Sequence, residues 1–157
     1  MATIKKKPSG YGQFGGFSPY GNVTALAFFL ATNASGAVID SDTTAAVASG
    51  DVIDLGELPE GMRLDDAQIL IKTGMTATVT GSLGFKYVDG DSTEVPQDAA
   101  YFINAGDLAT AGRLRANTGK LVTLPKAARL ILTIGGAANA KASDIKVIVS
   151  GELTGPR

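Results

Sequence analysis

Residues 77–88, ATVTGSLGFKYV, alternate between apolar and polar side chains along most of their length. Successive side chains of a β-strand point to opposite faces, so this spacing predicts a strand with one buried face. The Asp-Gly pair at 89–90 then predicts a turn. The predicted buried face carries the side chains of Ala77, Val79, Leu83, Phe85 and Tyr87.

Segments of the same β character recur at 129–136 (RLILTIGG) and 144–153 (DIKVIVSGEL). Turn signals separate such segments, among them LPEG at 58–61, a pattern typical of a type I turn. We count about eight short strands and no βαβ rhythm, which predicts an all-β fold, either an antiparallel β-sandwich or a jelly roll. The one helical candidate is a short helix within 105–117, where Gly112 interrupts the leucine spacing.

The first 21 residues differ from the rest, because they contain five glycines, two prolines and no acidic residue. Neither helical nor strand periodicity persists across so many glycines. We therefore predict an extended N-terminal arm, residues 1–21, followed by a single β-sandwich domain, residues 22–157. GYGQFG at 10–15 matches the glycine pattern of dinucleotide-binding loops, but no βαβ unit surrounds it. We expect no cofactor.

Aromatic residues recur every three positions in this arm, at Tyr11, Phe14, Phe17 and Tyr20. An extended chain near polyproline II geometry has three residues per turn, so the four rings could project along one side. Rings bury a large area at a small cost in rotamer entropy, which makes them good anchors on a partner. The alternatives are that the arm folds back over its own domain or stays disordered. The four rings are our predicted partner-binding residues.

Neither cysteine nor histidine occurs in the chain, which excludes disulfides, thiolate metal sites and histidine general bases. Asp65 and Asp66 are adjacent, and neighbours on a strand point to opposite faces, so we do not expect them to act on one substrate bond. The stretch VDGDSTE at 88–94 lacks the length and the flanking helices of a calcium loop and indicates a solvated hairpin turn. We expect no enzyme, no catalytic residues and no metal.

Charge is segregated along the sequence. Residues 1–39 carry +3, residues 40–107 carry −10 and residues 108–157 carry +6, which sum to the net charge of −1. Two interpretations are open: opposed surfaces attract copies of the chain or a charged partner, or the fold mixes the charges again. On the first interpretation, contacts between subunits would involve Arg113, Arg115 and Lys120.

Two classes of partner are not expected. The basic tract 108–143 contains no aromatic residue on which a base could stack, so we expect no nucleic acid. The most apolar run, VTALAFFLA at 23–31, is nine residues long, against the ~20 that a helix needs to cross a bilayer, so we expect no membrane.

Five phrases in fixed order give the chain a resemblance to a known family. They are DVIDLGELPEGMRLDDAQILI, GSLGFKYVDG, DAAYFINAGDLATAG, LPKAARLILTIGGA and IKVIVSGEL, and together they span residues 51–153. In style and order these phrases resemble the small capsid decoration proteins of tailed bacteriophages, also called cement or head-stabilising proteins. The arm matches no fixed pattern of that family.

This resemblance implies a structural protein made in the bacterial host cytoplasm that binds the outer surface of a phage capsid. Such proteins commonly form trimers and stabilise the shell by bridging subunits of the major capsid protein, without performing chemistry. The alternatives are a phage tail-tube or minor tail protein and, less favoured because tryptophan is absent, a carbohydrate-binding β-sandwich module.

Overall fold

The computed structural model describes residues 1–6 and 23–154, and within them the chain forms strands and no helix. There are ten strands in the described part: β1 (Thr3–Lys5), β2 (Val23–Thr32), β3 (Val52–Leu58), β4 (Met62–Thr73), β5 (Thr80–Tyr87), β6 (Asp98–Asp107), β7 (Gly112–Arg115), β8 (Val122–Thr123), β9 (Ala128–Gly135) and β10 (Ser143–Leu153).

The strands form two sheets packed as a sandwich, which confirms the predicted all-β class. Sheet 1 has the order β1-β3-β9-β5-β6, and sheet 2 has the order β2-β10-β4-β7, with β8 also paired to β4. All neighbours run antiparallel except β1 and β3, which are parallel. The order is far from sequential, so the two sheets are interleaved along the chain.

Strict alternation builds the core between the sheets. In β10, Ile145, Val147 and Val149 are fully buried, and the residues between them face outward. Leu83 and Phe85 of β5 face them from sheet 1 and belong to the same hydrophobic cluster. Removal of this apolar surface from water supplies the main driving force for folding, at about 25 cal/mol per Å².

A turn follows β3 as predicted and carries the chain from sheet 1 to β4 in sheet 2, but the type I pattern over 58–61 is wrong. The turn closes one residue later, over 59–62, and its third residue, Gly61, has the positive φ of a type II turn. Gly61 adopts a φ of 75°, which a residue with a side chain rarely does. The Met62 N–H donates to the Pro59 carbonyl at 3.3 Å, and the Gly61 N–H donates to the Leu124 carbonyl at 2.9 Å. This turn therefore joins the two layers of the sandwich.

Two sequence predictions need correction. The segment 105–117 is not helical, because residues 112–115 form β7 and pair with β4 from Gln68 to Ile71. An available sheet edge outweighs weak helix propensity over so short a segment. The strand predicted from 77 begins only at Thr80, since Thr78 has a φ of 68° and interrupts the extended backbone.

The first residues of the predicted arm belong to sheet 1. β1 pairs with β3, the Ile4 side chain is buried, and the Asp51 carboxylate accepts the N–H of Ala2 at 2.9 Å and that of Ala48 at 2.9 Å. The chain is therefore anchored before residue 7. The predicted partner-binding rings, Tyr11, Phe14, Phe17 and Tyr20, lie outside the described residues.

Candidate interaction surface

The acidic residues of VDGDSTE at 88–94 form ion pairs and hydrogen bonds within the chain. In the β5–β6 connection, Asp89 pairs with Lys126 at 2.9 Å, and Asp91 Oδ1 accepts the N–H groups of Ser92 and Gln97, each at 2.8 Å. These contacts lower the pKa of both carboxyl groups: the hydrogen bond from Lys126 for Asp89, and the backbone donors for Asp91. Across residues 1–6 and 23–154, no three acidic, histidine or cysteine residues are grouped to hold a metal ion.

Asp65 and Asp66 do not point to opposite faces, which corrects the expectation from strand alternation. The β4–β10 pairing shifts by one residue between Ser150 and Gly151, so Asp65 is an extra residue in a bulge and both carboxylates reach solvent. A bulge places two residues opposite one and breaks the alternation. Asp65 pairs with Arg63 at 2.7 Å, and Asp66 pairs with Arg115, so each carboxylate has its own cation.

The fold mixes the charges that are segregated in the sequence. Of the seven ion pairs among the described residues, six join the stretch 40–107 to the stretch 108–157. The antiparallel neighbours β4–β7 and β3–β9 bring the two stretches together. The second interpretation of the charge pattern therefore holds for these pairs.

The three candidate inter-subunit cations lie on one side of the β4 strand. Arg113 and Arg115 belong to β7 and Lys120 to the following loop. Arg115 already pairs with Asp66, and Lys120 pairs with Asp98, although both cations are about half exposed. Partial burial opposes ionisation of Asp98, but hydrogen bonds from Lys120 and the Ala100 N–H outweigh it and lower its pKa. Inter-subunit contacts through these residues stay a prediction.

The outer face of sheet 1 carries paired charges. Arg129 Nε lies 3.0 Å from both carboxylate oxygens of Asp54, a side chain that is only 5% exposed. The pair lines a shallow cleft of about 890 Å³ together with Lys5, Lys86 and Lys126. Glu57, Glu60 and Asp89 also line the cleft, so its four cations and four carboxylates balance and leave little net field for a charged ligand.

A smaller pocket of about 350 Å³ lies between the β5–β6 connection and the loop before β8, and Tyr101 lines it. The Tyr101 hydroxyl accepts the Val122 N–H at 3.1 Å and lies within hydrogen-bond distance of the Leu64 and Lys120 carbonyls. Burial raises the pKa of this phenol. Tyr101, on β6 of sheet 1, therefore contacts β4 and β8 of sheet 2 and the loop before β8, and its hydroxyl serves these structural contacts.

The outer side of β2 is different, because it presents an apolar column. Its outward residues are Val23, Ala25, Ala27, Phe29 and Ala31, and none of them is polar. Val23 is 78% exposed and Phe29 53% exposed, and the Lys146 ammonium lies 5.3 Å from the centre of the Phe29 ring. We call these five residues the β2 column.

Phe28, the neighbour of Phe29, points the other way. Its ring lies so close to Gly56 of β3 that a Cβ there would be 2.6 Å from a ring carbon. The two adjacent phenylalanines thus lie on opposite sides of β2, with Phe28 packed inside the sandwich and Phe29 on its surface. The column is not recognisable from the sequence because both faces of β2 are apolar, so no alternation is visible in VTALAFFLAT. The absence of any charged residue over ten positions was the available signal.

No family model and no curated protein matches the sequence. Three solved phage capsid structures contain a chain with this fold. A chain in the capsid of Ralstonia phage GP4 aligns with a TM-score of 0.60 and 19% identity over 85% of this chain and 86% of that one.

The other two similarities cover as much of the chain. A chain in the capsid asymmetric unit of cyanophage Pam1 aligns with a TM-score of 0.56 and 18% identity, over 84% of this chain and 85% of that one. A chain in the acid-stable capsid of Helicobacter pylori bacteriophage KHP30 aligns with a TM-score of 0.51 and 14% identity, over 85% and 94%. At these identities the likeness establishes a shared fold.

Membrane insertion by a helix finds no support in the described residues, none of which form a helix suited to span a bilayer. The surface offers three features: a cleft of paired charges on sheet 1, a small loop pocket and the β2 column. Among the described residues, the column is the feature that groups several outward apolar side chains along one strand, with Val23 78% and Phe29 53% exposed. Exposed apolar surface of this kind is typical of contact with another macromolecule.

Proposed function

We propose that this chain is a structural protein of a phage virion, specifically a decoration protein that binds the outer surface of the capsid and stabilises it. The observation that carries the proposal is the fold shared with chains of three phage capsid structures over most of this chain's length. The order of sequence phrases over residues 51–153 supports the same family. No catalytic role is proposed.

The proposed mechanism is passive bridging of neighbouring major capsid protein subunits. A protein that binds only the assembled shell lowers the free energy of the assembled state, so the shell resists dissociation. We propose that the chain acts as a homo-oligomer, a trimer, because linked subunits turn later contacts into intramolecular ones and can raise avidity by ~10²–10⁴. The sandwich serves as a rigid scaffold from which the contacts are made.

Two sets of residues are proposed to make these contacts. The arm rings Tyr11, Phe14, Phe17 and Tyr20 supply apolar anchors on a neighbouring subunit or on the shell. Arg113, Arg115 and Lys120 supply charge contacts between subunits; Arg115 and Lys120 would share the carboxylates that they already hold within the chain. Exposed ion pairs contribute at most about 1 kcal/mol each, so the rings are the more important set.

The test uses purified shells of the phage that encodes the chain, prepared without it. We expect the wild-type protein to cosediment with shells and to raise the temperature at which they rupture. Replacement of all four arm rings by serine should weaken binding by at least roughly tenfold, since anchors of this size dominate interfaces. Val88→Ser, which removes an exposed apolar residue from the sandwich, is the matched control and should bind normally.

Each part of the proposal can fail separately. Wild-type protein that ignores shells overturns the decoration role, and tubes or six-membered rings by electron microscopy would favour the tail alternative. A ring variant that binds shells as tightly as wild type would overturn the arm's role alone.

A further inference from the structure

Phe29 is the one ring among the described residues that projects into solvent, since every other described aromatic side chain is buried or half-buried. It stands on the outer face of β2 between Ala27 and Ala31, whose small side chains leave the ring raised above the strand. Lys146 of β10 lies opposite it and forms no ion pair with any described carboxylate; its ammonium lies 5.3 Å from the ring centre. This part of sheet 2 therefore presents an exposed aromatic ring beside a cation.

The pocket of about 350 Å³ beside Tyr101, which we call the loop pocket, has an aromatic floor. Phe85 and Tyr101 line it although both side chains are almost fully buried, and their ring centres are 5.4 Å apart with an angle of 66° between the ring planes. The other apolar residues of the lining are Val95, Pro96, Leu121 and Val122. An apolar cavity of about 150 Å³ holds benzene, so the loop pocket has room for a phenyl ring. A ring that enters it gains edge-to-face contacts with the two rings of the floor.

The charges around the loop pocket are opposite to the charge beside Phe29. Glu94, Asp98 and Lys120 also line the pocket, and these two carboxylates and one ammonium give it a net charge of −1. Lys146 gives the surface around Phe29 a positive charge. Charge complementarity favours contact between these two surfaces and disfavours partners of the same sign.

Phe29 cannot reach the loop pocket of its own chain. Along β4, Leu70 pairs with Lys146, and Leu64, six residues away, pairs with Val122 of the pocket lining, which is a distance of about 20 Å. Across sheet 2, β2 and β8 are separated by β10 and β4, which adds about 14 Å. The ring and the pocket therefore lie on opposite flanks of the chain, so another molecule must supply the ring.

We propose that the Phe29 ring of one copy of this chain enters the loop pocket of a neighbouring copy, and that Lys146 lies beside the acidic residues of that pocket. Each copy then offers one ring and one pocket on opposite flanks. Such a heterologous contact closes into a ring of subunits when the rotation between neighbours allows it. That the occupant is a second copy rests on the homo-oligomer of the proposed function.

Two of the cations predicted to contact other subunits lie at these surfaces. Lys120 lines the loop pocket. Arg113 pairs with Leu70, which pairs with Lys146, so Arg113 lies in the same row across sheet 2 as Phe29. Residues directly opposite one another on neighbouring strands share a face of the sheet. Arg113 therefore adds positive charge on the side that meets the neighbouring copy.

The mass of the isolated protein in solution, measured by light scattering, tests the contact from the ring side. We expect a trimer for the wild type. Phe29→Ala should raise the concentration below which the oligomer dissociates by at least roughly tenfold, because a buried aromatic anchor dominates a contact of this kind. Phe29 is an exposed side chain within the chain, so its thermal unfolding midpoint should stay the same.

Leu121→Glu tests the same contact from the pocket side, since it replaces an apolar wall of the loop pocket by a carboxylate. We expect it to weaken the oligomer as much as Phe29→Ala does. Val88→Glu is the matched control, because Val88 is 65% exposed and Leu121 66% exposed, and Val88 does not line this pocket. The control should remain a trimer.

Mixing the two weakened variants identifies the two surfaces as partners. A Leu121→Glu chain keeps its Phe29 ring, and a Phe29→Ala chain keeps its loop pocket, so the mixture can form one intact contact. We expect dimers that contain one chain of each variant, under conditions in which each variant alone is a monomer. A mixture that stays monomeric overturns the proposal.

Two further results would overturn the proposal. One is a wild type that is a monomer in solution. The other is a trimer that persists in both Phe29→Ala and Leu121→Glu; loss of shell binding in these intact trimers would then assign the ring or the pocket to the shell protein. All masses are measured without shells, so the contact between copies can fail while shell binding persists, and it can hold in a protein that ignores shells.

Discussion

The outer faces of the two sheets are built from the same alternating pattern, but they differ in which side chains remain exposed and which already have contacts within the chain. On sheet 1, Asp54 and Arg129 satisfy each other, and the backbone of Asp98 and Ala99 lies directly over Gly84. Ile131 is almost fully buried there although it lies outside the core cluster. On sheet 2, the β2 column exposes Phe29 and three alanines at an uncharged edge.

This difference indicates where a partner can add contacts. On sheet 1, the Asp54–Arg129 pair and the close backbone approach over Gly84 are made within the chain, so a partner at either place would have to displace existing contacts. The β2 column has apolar area and backbone groups that gain from being covered. The two faces should therefore respond differently to substitution. Substitutions on the outer face of sheet 1 should lower the unfolding free energy, whereas substitutions in the β2 column should weaken binding to a partner.

The largest effect is expected for Gly84→Ala on sheet 1. A Cβ at this position would lie 2.0 Å from the Asp98 carbonyl oxygen, and backbone cannot move aside as a flexible side chain can. We expect a loss of about 3 kcal/mol in unfolding free energy, at the upper end of the usual cost of overpacking, measured by urea denaturation. Ala25→Val on the β2 column is the counterpart and should change stability by less than about 0.5 kcal/mol.

Equal stability of the two variants would contradict this contrast. It would mean that β6 can move away from β5, in spite of the carbonyl over Gly84, and that the outer face of sheet 1 is as open as that of sheet 2.

The sequence was sufficient for the β class and for strands such as β5, β9 and β10, because one face of each is buried and the alternation is legible. It was insufficient for β7, because these four residues become a strand only by pairing with β4, which is distant in the sequence. Pairing between residues so far apart leaves no local signature. The opposite orientation expected for Asp65 and Asp66 failed for a related reason, since a bulge depends on the partner strand β10.

The candidate site was predictable only in part. The ring spacing of the arm was visible in the sequence, whereas the β2 column was not, because the apolar outward residues Ala25, Ala27 and Phe29 hide among apolar inward ones. The charge pattern was compatible with opposed charged surfaces and with charges mixed by the fold. For the ion pairs that form, the choice depends on which strands are neighbours, and the sequence does not give the strand order. Arg129 and Asp54 are 75 positions apart and meet only because β3 and β9 are neighbours.

A smaller effect is expected for Asp54→Ala, again on sheet 1. The substitution removes a largely buried carboxylate, so the Arg129 guanidinium loses the acceptor of its hydrogen bonds. Because Arg129 is about one-third exposed and water can replace part of the contact, we expect a loss of about 1–2 kcal/mol rather than the larger cost of a fully buried pair. A double-mutant cycle with Arg129→Ala measures the coupling.

Asp144→Ala on the outside of sheet 2 is the control for this prediction. Asp144 pairs with Lys72 at 3.4 Å with both side chains well exposed, so its removal should cost less than about 0.5 kcal/mol. Coupling energies of similar size for the two pairs would show that the outer faces do not differ in how they hold their charges.

The smallest effect is expected from acid, at the β5–β6 connection beside sheet 1. The folded-state pKa values of Asp89, Asp91 and Asp98 lie below the ordinary value of 3.8. A carboxyl whose pKa is lowered on folding stabilises the fold above its unfolded pKa and loses that contribution as the pH falls through the folded pKa. The thermal unfolding midpoint should therefore hold from neutral pH to about 4 and decline below it.

In Asp91→Asn, which lacks one of these carboxylates, the midpoint should be lower at neutral pH and the decline shallower. An unchanged decline in this variant would mean that other carboxylates cause the acid sensitivity, and the β5–β6 connection would not be the acid-labile part of sheet 1.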